Sequence, residues 1–176
     1  MEKLEGQLCS FCGKKTLTLM EDSQDIPFFG KTFLFGMQCS TCKFSKSDIE
    51  AAEKKDPCKI TFMIEEEKDM KIRVVKSSEG CISFPSLRLK VESGPSSEGY
   101  VSNIEGVLDR FVKIIEAQKE SSDDDGEKKS AKNLLKKIRK IKYGDVATKM
   151  VIEDMSGNSA IISEKAKLEK LKGKKK

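Results

Sequence analysis

The spacing of apolar residues predicts β-strands over most of the first hundred positions. Short strand-like runs at 16–20 and 32–35 flank a turn centred on residues 26–30, and alternating runs occupy much of 59–91. A loop rich in Gly, Pro and Ser follows at 92–99. This part of the chain therefore predicts a series of short strands joined by polar turns.

The hydrophobic period changes to that of a helix at residue 102. Ser102 and Glu105 have the spacing of a capping box, and two apolar stripes follow, separated by a polar break at 121–126. The stripes consist of Ile104, Val107, Leu108, Phe111, Ile114 and Ile115, and then of Ala131, Leu134, Leu135, Ile138 and Ile141. Three aspartates in the break favour the start of the second helix, and they lack EF-hand ligand spacing. We expect a helical hairpin at about 102–142.

Strand patterns return after the helices, at 150–153 and 160–162. Gly157 and Asn158 between them supply the positive φ angles that a tight hairpin turn needs. Strands on both sides of a helical hairpin imply an antiparallel β domain, spanning 46–163, into which the hairpin is inserted. The expected fold class is mostly β with α (α+β).

The strongest chemical signal lies in four cysteines. Two C-x2-C pairs, separated by 26 residues, have the spacing of a zinc ribbon, which we place at residues 1–45; the four are Cys9, Cys12, Cys39 and Cys42. Disulfides are the alternative, but a chain of intracellular type with such pairs more often binds metal. The ion is expected to be a single structural Zn²⁺, although iron in the same four-sulfur site is chemically possible. Four thiolates fill a tetrahedron and leave no position for substrate.

Other features argue against an enzyme. The chain contains no histidine, which excludes serine–histidine and cysteine–histidine nucleophiles and histidine-ligated catalytic zinc. No phosphate-binding glycine motif is complete, because Tyr100 and Val101 follow Gly99 where a P-loop requires Lys and Ser or Thr. The remaining cysteines, Cys58 and Cys81, fall in strand-like runs and are expected to pack as small apolar residues.

Charge is distributed unevenly along the chain. Residues 126–176 carry 16 basic and 6 acidic side chains, whereas residues 1–125 carry 18 basic and 23 acidic ones. We treat 164–176 as a basic tail, too short and self-repelling to pack. Such an arm can contact RNA or a ribosome, although a solvated helix face explains the same composition. No apolar run approaches the length of a membrane span and no signal peptide is apparent, so we expect no membrane contact and a cytoplasmic location.

Several blocks together resemble the ZPR-type zinc-finger family. They are the Cys9–Cys42 segment with Ile-Pro-Phe-Phe at 26–29, Val-Val-Lys-Ser-Ser at 74–78, Phe-Pro-Ser-Leu at 84–87, Val-Ser-Asn-Ile-Glu-Gly-Val-Leu at 101–108 and Val-Ile-Glu-Asp-Met-Ser-Gly-Asn-Ser at 151–159. They occur in family order over about 7–163. The chain has one such module, which is similar to the archaeal form, whereas eukaryotic members carry two.

The resemblance implies a zinc ribbon followed by a distorted double-stranded β-helix that carries the helical hairpin. It also implies a protein partner, translation elongation factor 1-alpha, which eukaryotic members bind and help to fold. Lys43 departs from the family, which usually has glycine after the second Cys pair, so that turn must accept a less comfortable backbone conformation. Candidate partner contacts, each with a structural alternative as a loop staple or a required turn, are Phe28, Phe29, Ser156, Gly157, Asn158 and Ser159.

Overall fold

A four-stranded antiparallel sheet forms the N-terminal part of the computed structural model, which describes residues 1–26, 30–53, 55–94 and 97–171. Its strands are β1 (Glu2–Gln7), β2 (Leu17–Ile26), β3 (Gly30–Cys39) and β4 (Ser45–Ala51), paired in chain order. The fourth strand continues past residue 45, where the sequence placed the end of the ribbon. Backbone pairing with β3 extends through Ala51 opposite Thr32.

Two further sheets build the β domain. The strands are β5 (Cys58–Ile64), β6 (Arg73–Lys76), β7 (Gly80–Phe84), β8 (Leu89–Val91), β9 (Tyr100–Asn103), β10 (Thr148–Asp154), β11 (Ala160–Ile161) and β12 (Lys167–Lys170). One sheet has the order β12-β5-β10-β7-β8 and the other has the order β11-β6-β9. Short 3-10 helices at Glu67–Lys71 and Pro85–Leu87 connect β5 to β6 and β7 to β8.

Strand alternation builds the core of this domain. In β5 the side chains of Ile60, Phe62 and Ile64 are buried, and the residues between them are more exposed. Ile152 of the central strand β10 lies opposite Ile60 on one side and Ile82 on the other, which forms a buried row of three isoleucines. Burying side chains of this size stabilises the fold by roughly 1.5–3 kcal/mol each.

The predicted helical hairpin is confirmed. Helices α1 (Ile104–Ser121) and α2 (Asp125–Lys142) lie between β9 and β10 in the chain, and their apolar stripes complete the core of the β domain, except for Ile114, which is exposed. Phe111 of α1 meets Phe84 edge to face, with ring centroids 5.2 Å apart. Neither helix is long and apolar enough to cross a membrane, and the same holds for every helix in the described residues.

The cap of the first helix differs from the prediction. Asn103, and not Ser102, is the N-cap, and its side-chain oxygen accepts a hydrogen bond of 2.8 Å from the Gly106 N–H. The pairing of β9 with β6 runs through Asn103 opposite Arg73, so the helix begins at Ile104 and Ser102 lies one position too early to cap it. At the second helix Asp124 caps as the aspartate-rich break suggested, accepting from the Glu127 N–H at 2.7 Å.

Two expectations about the C-terminal region are wrong. The segment 155–159 is not a tight hairpin turn, because β10 and β11 belong to different sheets and the segment crosses between them. The basic tail is also shorter than expected, since β12 pairs with the edge of β5, with Glu169 opposite Lys59. Backbone hydrogen bonds along an open sheet edge hold β12 although all four of its residues are exposed.

Candidate functional site

Each cysteine pair lies in a tight turn between two strands of the ribbon. In the first turn, between β1 and β2, the Cys9 N–H donates to the Lys14 carbonyl at 2.9 Å and the Gly13 N–H donates to the Cys9 carbonyl at 2.8 Å. These two bonds fold the chain back, so both sulfurs of the pair point to the same place. Gly13 adopts a φ of +68°, which the turn requires.

The second turn, between β3 and β4, repeats this pattern with one difference. The Cys39 N–H donates to the Phe44 carbonyl at 2.8 Å, and the Lys43 N–H donates to the Cys39 carbonyl at 3.1 Å. Lys43 occupies the position of Gly13 and has a φ of +61°. A side chain in this left-handed conformation is strained, as the sequence predicted for this position.

The four sulfurs meet at one point. The Cys9 and Cys42 Sγ atoms are 3.7 Å apart, as are those of Cys12 and Cys39, and all four lie within 4.8 Å of one another. A tetrahedron with Zn–S bonds of about 2.3 Å has sulfurs about 3.8 Å apart. None of the four forms a disulfide. The residues present therefore fit one zinc ion, as predicted, and Cys9 and Cys39 are fully buried while Cys42 is exposed.

The pKa values of the cysteine thiols show why the site needs the positive charge of a metal ion. The Cys42 N–H and then the Thr16 hydroxyl lower the pKa of Cys39 to about 6. The Phe44 N–H lowers the pKa of Cys42, but desolvation and the three neighbouring sulfurs outweigh it and raise the pKa to about 12. Four adjacent thiols thus cannot all ionise near neutral pH by themselves. A bound Zn²⁺ compensates the charge of four thiolates, and this set of donors leaves no open coordination position.

One face of the ribbon sheet carries an apolar surface next to the metal site. Leu4 lies opposite Leu19, which lies opposite Met37 in the next strand. Phe35 and Phe33 continue the same face along β3, since alternate residues of a strand share a face. We call these five residues the ribbon face. Leu4 is 56% exposed and Phe35 36% exposed, and a depression of about 540 Å³ lies over the Leu4 end.

The zinc site closes one end of the ribbon face. Leu17 lies opposite Cys39 on this face and packs with the metal-ligating sulfurs, and Leu19 and Met37 pack against the same cluster. The opposite face of the sheet behaves differently. Ile49 and Ala51 of β4 pack against Val75 and Ala160 of the β domain. The ribbon therefore contacts the β domain through this side and through its edge strand β4, and the ribbon face is open to solvent at Leu4 and Phe35.

The residues predicted at 156–159 surround a buried carboxylate. Asp154 is fully buried, and its two oxygens accept from the hydroxyls of Ser77, Ser156 and Ser159 at 2.6–2.7 Å and from two backbone N–H groups. Burial raises the pKa of Asp154, but the hydrogen bonds from Ser159, Ser77 and Ser156 lower it by more, so it lies below its usual value. Ser156, Asn158 and Ser159 are themselves buried.

Sequence reasoning missed Asp154 and Ser77. They are 77 residues apart and nothing local marks them as partners, although a carboxylate directly after an apolar strand followed by several serines is a usable signal. Phe28 and Phe29, predicted as partner contacts, lie outside the described residues. The structure brings together the four cysteines in one place and residues 156–159 in another, on the β domain.

The fold and the site define a zinc-ribbon protein in which a closed metal centre shapes a small sheet mounted on a larger β domain. Two family models match the chain in the same order, the ZPR1 zinc-finger domain over residues 2–57 and the ZPR1 jelly-roll domain over residues 68–175. The chain belongs to the ZPR1 family, and its β domain is the jelly roll.

Relatives agree with this assignment. A ZPR1-like protein of Methanocaldococcus jannaschii is 37% identical over 165 residues, which are 93% of this chain and 83% of the relative. A ZPR1-like protein of Pyrococcus horikoshii is 37% identical over 167 residues, which are 93% of this chain and 75% of the relative. A Schizosaccharomyces pombe protein named zinc finger chaperone zpr1 is 31% identical over 163 residues, which are 88% of this chain but 34% of that protein. The name of the fission-yeast relative describes that protein as a zinc finger chaperone.

Proposed function

We propose that this protein is a zinc-dependent protein-interaction module that binds translation elongation factor 1-alpha in the cytoplasm and assists its folding. The observation that carries the proposal is the ribbon face, an apolar surface on which Leu4 and Phe35 are exposed and the other three residues are half-buried among the described residues of the chain. The fission-yeast relative's name, zinc finger chaperone, supports the chaperone part. The identity of the partner rests on the resemblance to eukaryotic members of the family.

The chemistry of the ribbon face suits a protein partner. Aromatic and Met side chains such as Phe33, Phe35 and Met37 are enriched in protein interfaces, and Phe33 and Phe35 lie with ring centroids 6.4 Å apart. Glu2 and Glu21, which lie opposite each other, supply an acidic rim beside the apolar residues. An apolar centre with a charged rim is the usual anatomy of a binding patch.

The metal site gives this surface its shape. Without zinc, Leu17, Leu19 and Met37 lose the sulfur cluster against which they pack. The turns that join the strands also lose the ion that ties them together. Structural zinc contributes about 10–16 kcal/mol of apparent binding free energy in small zinc-finger peptides, which is more than a four-stranded sheet of this size can replace by packing alone. We therefore expect partner binding to require zinc.

Calorimetric titration with elongation factor 1-alpha in its GTP-bound, GDP-bound and nucleotide-free forms tests the proposal. Phe35→Glu should weaken binding at least tenfold with unchanged zinc content, because it places a charge at the centre of the ribbon face. Leu168→Glu is the matched control, since Leu168 is 72% exposed on β12, away from the ribbon, and its substitution should leave binding unchanged. No binding of the wild-type protein to any form of the factor would refute the proposal.

A basic helix surface favours a second candidate, contact with RNA or the ribosome. Exposed basic side chains cover α2 after its first turn and have no acidic partner among the described residues; they are Lys129, Lys132, Lys136, Lys137, Arg139 and Lys140. Phosphate contact through these side chains predicts affinity that falls steeply with salt. The double variant Lys132→Glu, Lys136→Glu should abolish RNA binding in filter assays. An RNA affinity of the wild-type protein that does not change with salt concentration would exclude this candidate.

A further inference from the structure

The contact between the ribbon and the jelly roll has a small apolar component. Ile49 and Ala51 meet Val75, Ala160 and Ile162, and apart from Val75 and Ala160 these side chains are only partly buried. Domains joined by a small interface normally move relative to each other. Whether the ribbon keeps one orientation therefore depends on the backbone and polar contacts around this patch.

The first of these contacts involves Gly99. Its N–H donates to the Asp48 side chain at 2.8 Å, and Lys46 pairs with Glu98 at 3.2 Å. A Cβ atom at position 99 would lie 2.4 Å from the Ile49 carbonyl oxygen, a distance that real Cβ atoms do not reach. Gly99 thus lets the loop before β9 lie directly against the backbone of β4.

The second contact involves Gly157, on the other side of the patch. A Cβ atom there would lie 2.2 Å from the Asp56 carbonyl oxygen and 2.9 Å from the Lys55 carbonyl carbon. The Lys55 N–H donates to the Ser156 carbonyl at 2.8 Å. Lys55 and Asp56 follow β4, the last strand of the ribbon, and directly precede β5. Gly157 therefore brings the loop after β10 against the stretch of chain by which the ribbon enters the jelly roll.

Buried polar groups connect the two contacts. Asp154 holds Ser156 and Ser159 on the Gly157 side and binds the Ser77 hydroxyl at 2.7 Å. The neighbouring Lys76 is buried, and its Nζ donates to the Ser97 hydroxyl at 3.0 Å and to the Glu98 carbonyl at 3.4 Å. A continuous chain of contacts thus runs from one glycine to the other through the interior of the jelly roll.

We propose that Gly99 and Gly157, held by Asp154 and Lys76, are positioning residues that fix the zinc ribbon in one orientation on the jelly roll, so that the two domains present a single composite surface. The consequence for partner binding rests on the proposed function. In this role residues 156–159 act by holding the ribbon, and their burial leaves them little surface for direct contact with a partner.

Residual dipolar couplings of the zinc-loaded protein test this directly. We expect one alignment tensor to fit the amides of β1–β4 together with those of β5, β7 and β10. In the double variant Gly99→Ala, Gly157→Ala the two groups should need separate tensors, while both keep their wild-type internal couplings and zinc stays bound. A single tensor in the double variant, or two tensors in the wild-type protein, would overturn the proposal.

Matched variants separate positioning from general destabilisation. Gly144 has a φ of +78°, similar to the +68° of Gly157, but a Cβ there would meet Glu66 and Glu67 of the jelly roll and nothing in the ribbon. Gly144→Ala should therefore introduce left-handed backbone strain within the jelly roll alone and keep one tensor. If the double variant does not fold, Asp48→Ala serves instead, because it removes the acceptor for the Gly99 N–H without adding atoms. The residual dipolar couplings of the ribbon should then show a lower degree of order than those of the jelly roll. An unchanged degree of order in this variant counts against the proposal.

Affinity for elongation factor 1-alpha gives an independent readout. The double variant should bind about tenfold more weakly with zinc content unchanged, whereas Gly144→Ala should bind as the wild-type protein does. Wild-type protein that fails to bind the factor refutes the proposed function, and the alignment tensors then decide the positioning role alone. Full affinity in a double variant whose domains have lost their common tensor would show that orientation does not matter for binding.

Discussion

Replacing Lys43 by glycine should strengthen the zinc ribbon. Lys43 has a φ of +61° in the second cysteine turn, a conformation that costs a residue with a side chain about 1–2 kcal/mol. Glycine removes that strain but gives the unfolded chain more freedom, which costs about 0.4–1 kcal/mol. The net gain should be about 0.5–1 kcal/mol. Because zinc binding and ribbon folding are coupled, this gain should appear as roughly two- to fivefold tighter zinc binding.

Competition with a chromogenic chelator at neutral pH measures this change. Lys43→Gly also removes a positive charge beside a site with net negative charge, so Lys43→Ala is the necessary reference, since it loses the charge and keeps the Cβ atom. Tighter zinc binding by Lys43→Gly than by Lys43→Ala isolates the backbone contribution. The first turn offers the reciprocal test, because Gly13 has a φ of +68° and a Cβ there would meet nothing within 4 Å.

Gly13→Ala should thus weaken zinc binding by about the amount that separates Lys43→Gly from Lys43→Ala, since it makes the same exchange of glycine and alanine at a similar positive φ with no steric contact. Equal zinc affinities for Lys43→Gly and Lys43→Ala, or a Gly13→Ala variant as tight as wild type, would contradict the reasoning. Either result would mean that the turns relax around the substituted residue.

Three other predictions follow from the structure. Cys39→Ser should abolish zinc binding and amide protection in β2 and β3 while β5 and β10 keep theirs, as hydrogen exchange can show. Asp154→Ala should cost about 3 kcal/mol at pH 7, since it removes the acceptor for three buried serines. Because the folded-state pKa of Asp154 is depressed, this difference should persist above the unfolded pKa of about 3.9 and shrink as pH falls through the folded-state value, as urea unfolding at several pH values can test. Asn103→Ala should cost about 1 kcal/mol through the lost cap of α1, and Ser102→Ala should cost less.

Local patterns predicted the elements whose stabilising contacts are close in sequence. The helical hairpin follows from apolar residues at helical spacing, and the metal site follows from two C-x2-C pairs, because each pair places its sulfurs by a turn of a few residues. The strain at Lys43 was predictable from the glycine that the family usually has at this position, since the turn requires a positive φ whichever residue occupies it. Burial at alternate residues of the strands was also predictable, because the alternation of apolar and polar residues is a local pattern.

Predictions were wrong where a distant segment determined the outcome. Ser102 has the local spacing of a cap, but the pairing of β9 with β6 extends through Asn103 opposite Arg73, so the helix begins at Ile104 and Asn103 is the cap. β12 is mostly Lys and Glu, and its composition predicts a tail. The open edge of β5, more than a hundred residues earlier in the chain, nevertheless supplies hydrogen-bond partners for the backbone of β12. The local sequence around Gly157 predicts a hairpin turn. The contact of Gly157 with Asp56 depends instead on the path of the chain just before β5, about a hundred residues earlier.

The amino-acid sequence by itself determined the metal centre, the helices and the mostly β character of this protein, because periodicity and ligand spacing are properties of short stretches of chain. Tertiary structure decided which face of the ribbon sheet stays exposed, and it decided that three serines hydrogen-bond to Asp154. It also decided that Gly99 and Gly157 lie in close contact with other backbone segments. Those features depend on backbone approach and on burial of polar groups between segments that are far apart in the chain, and no local pattern encodes such distances.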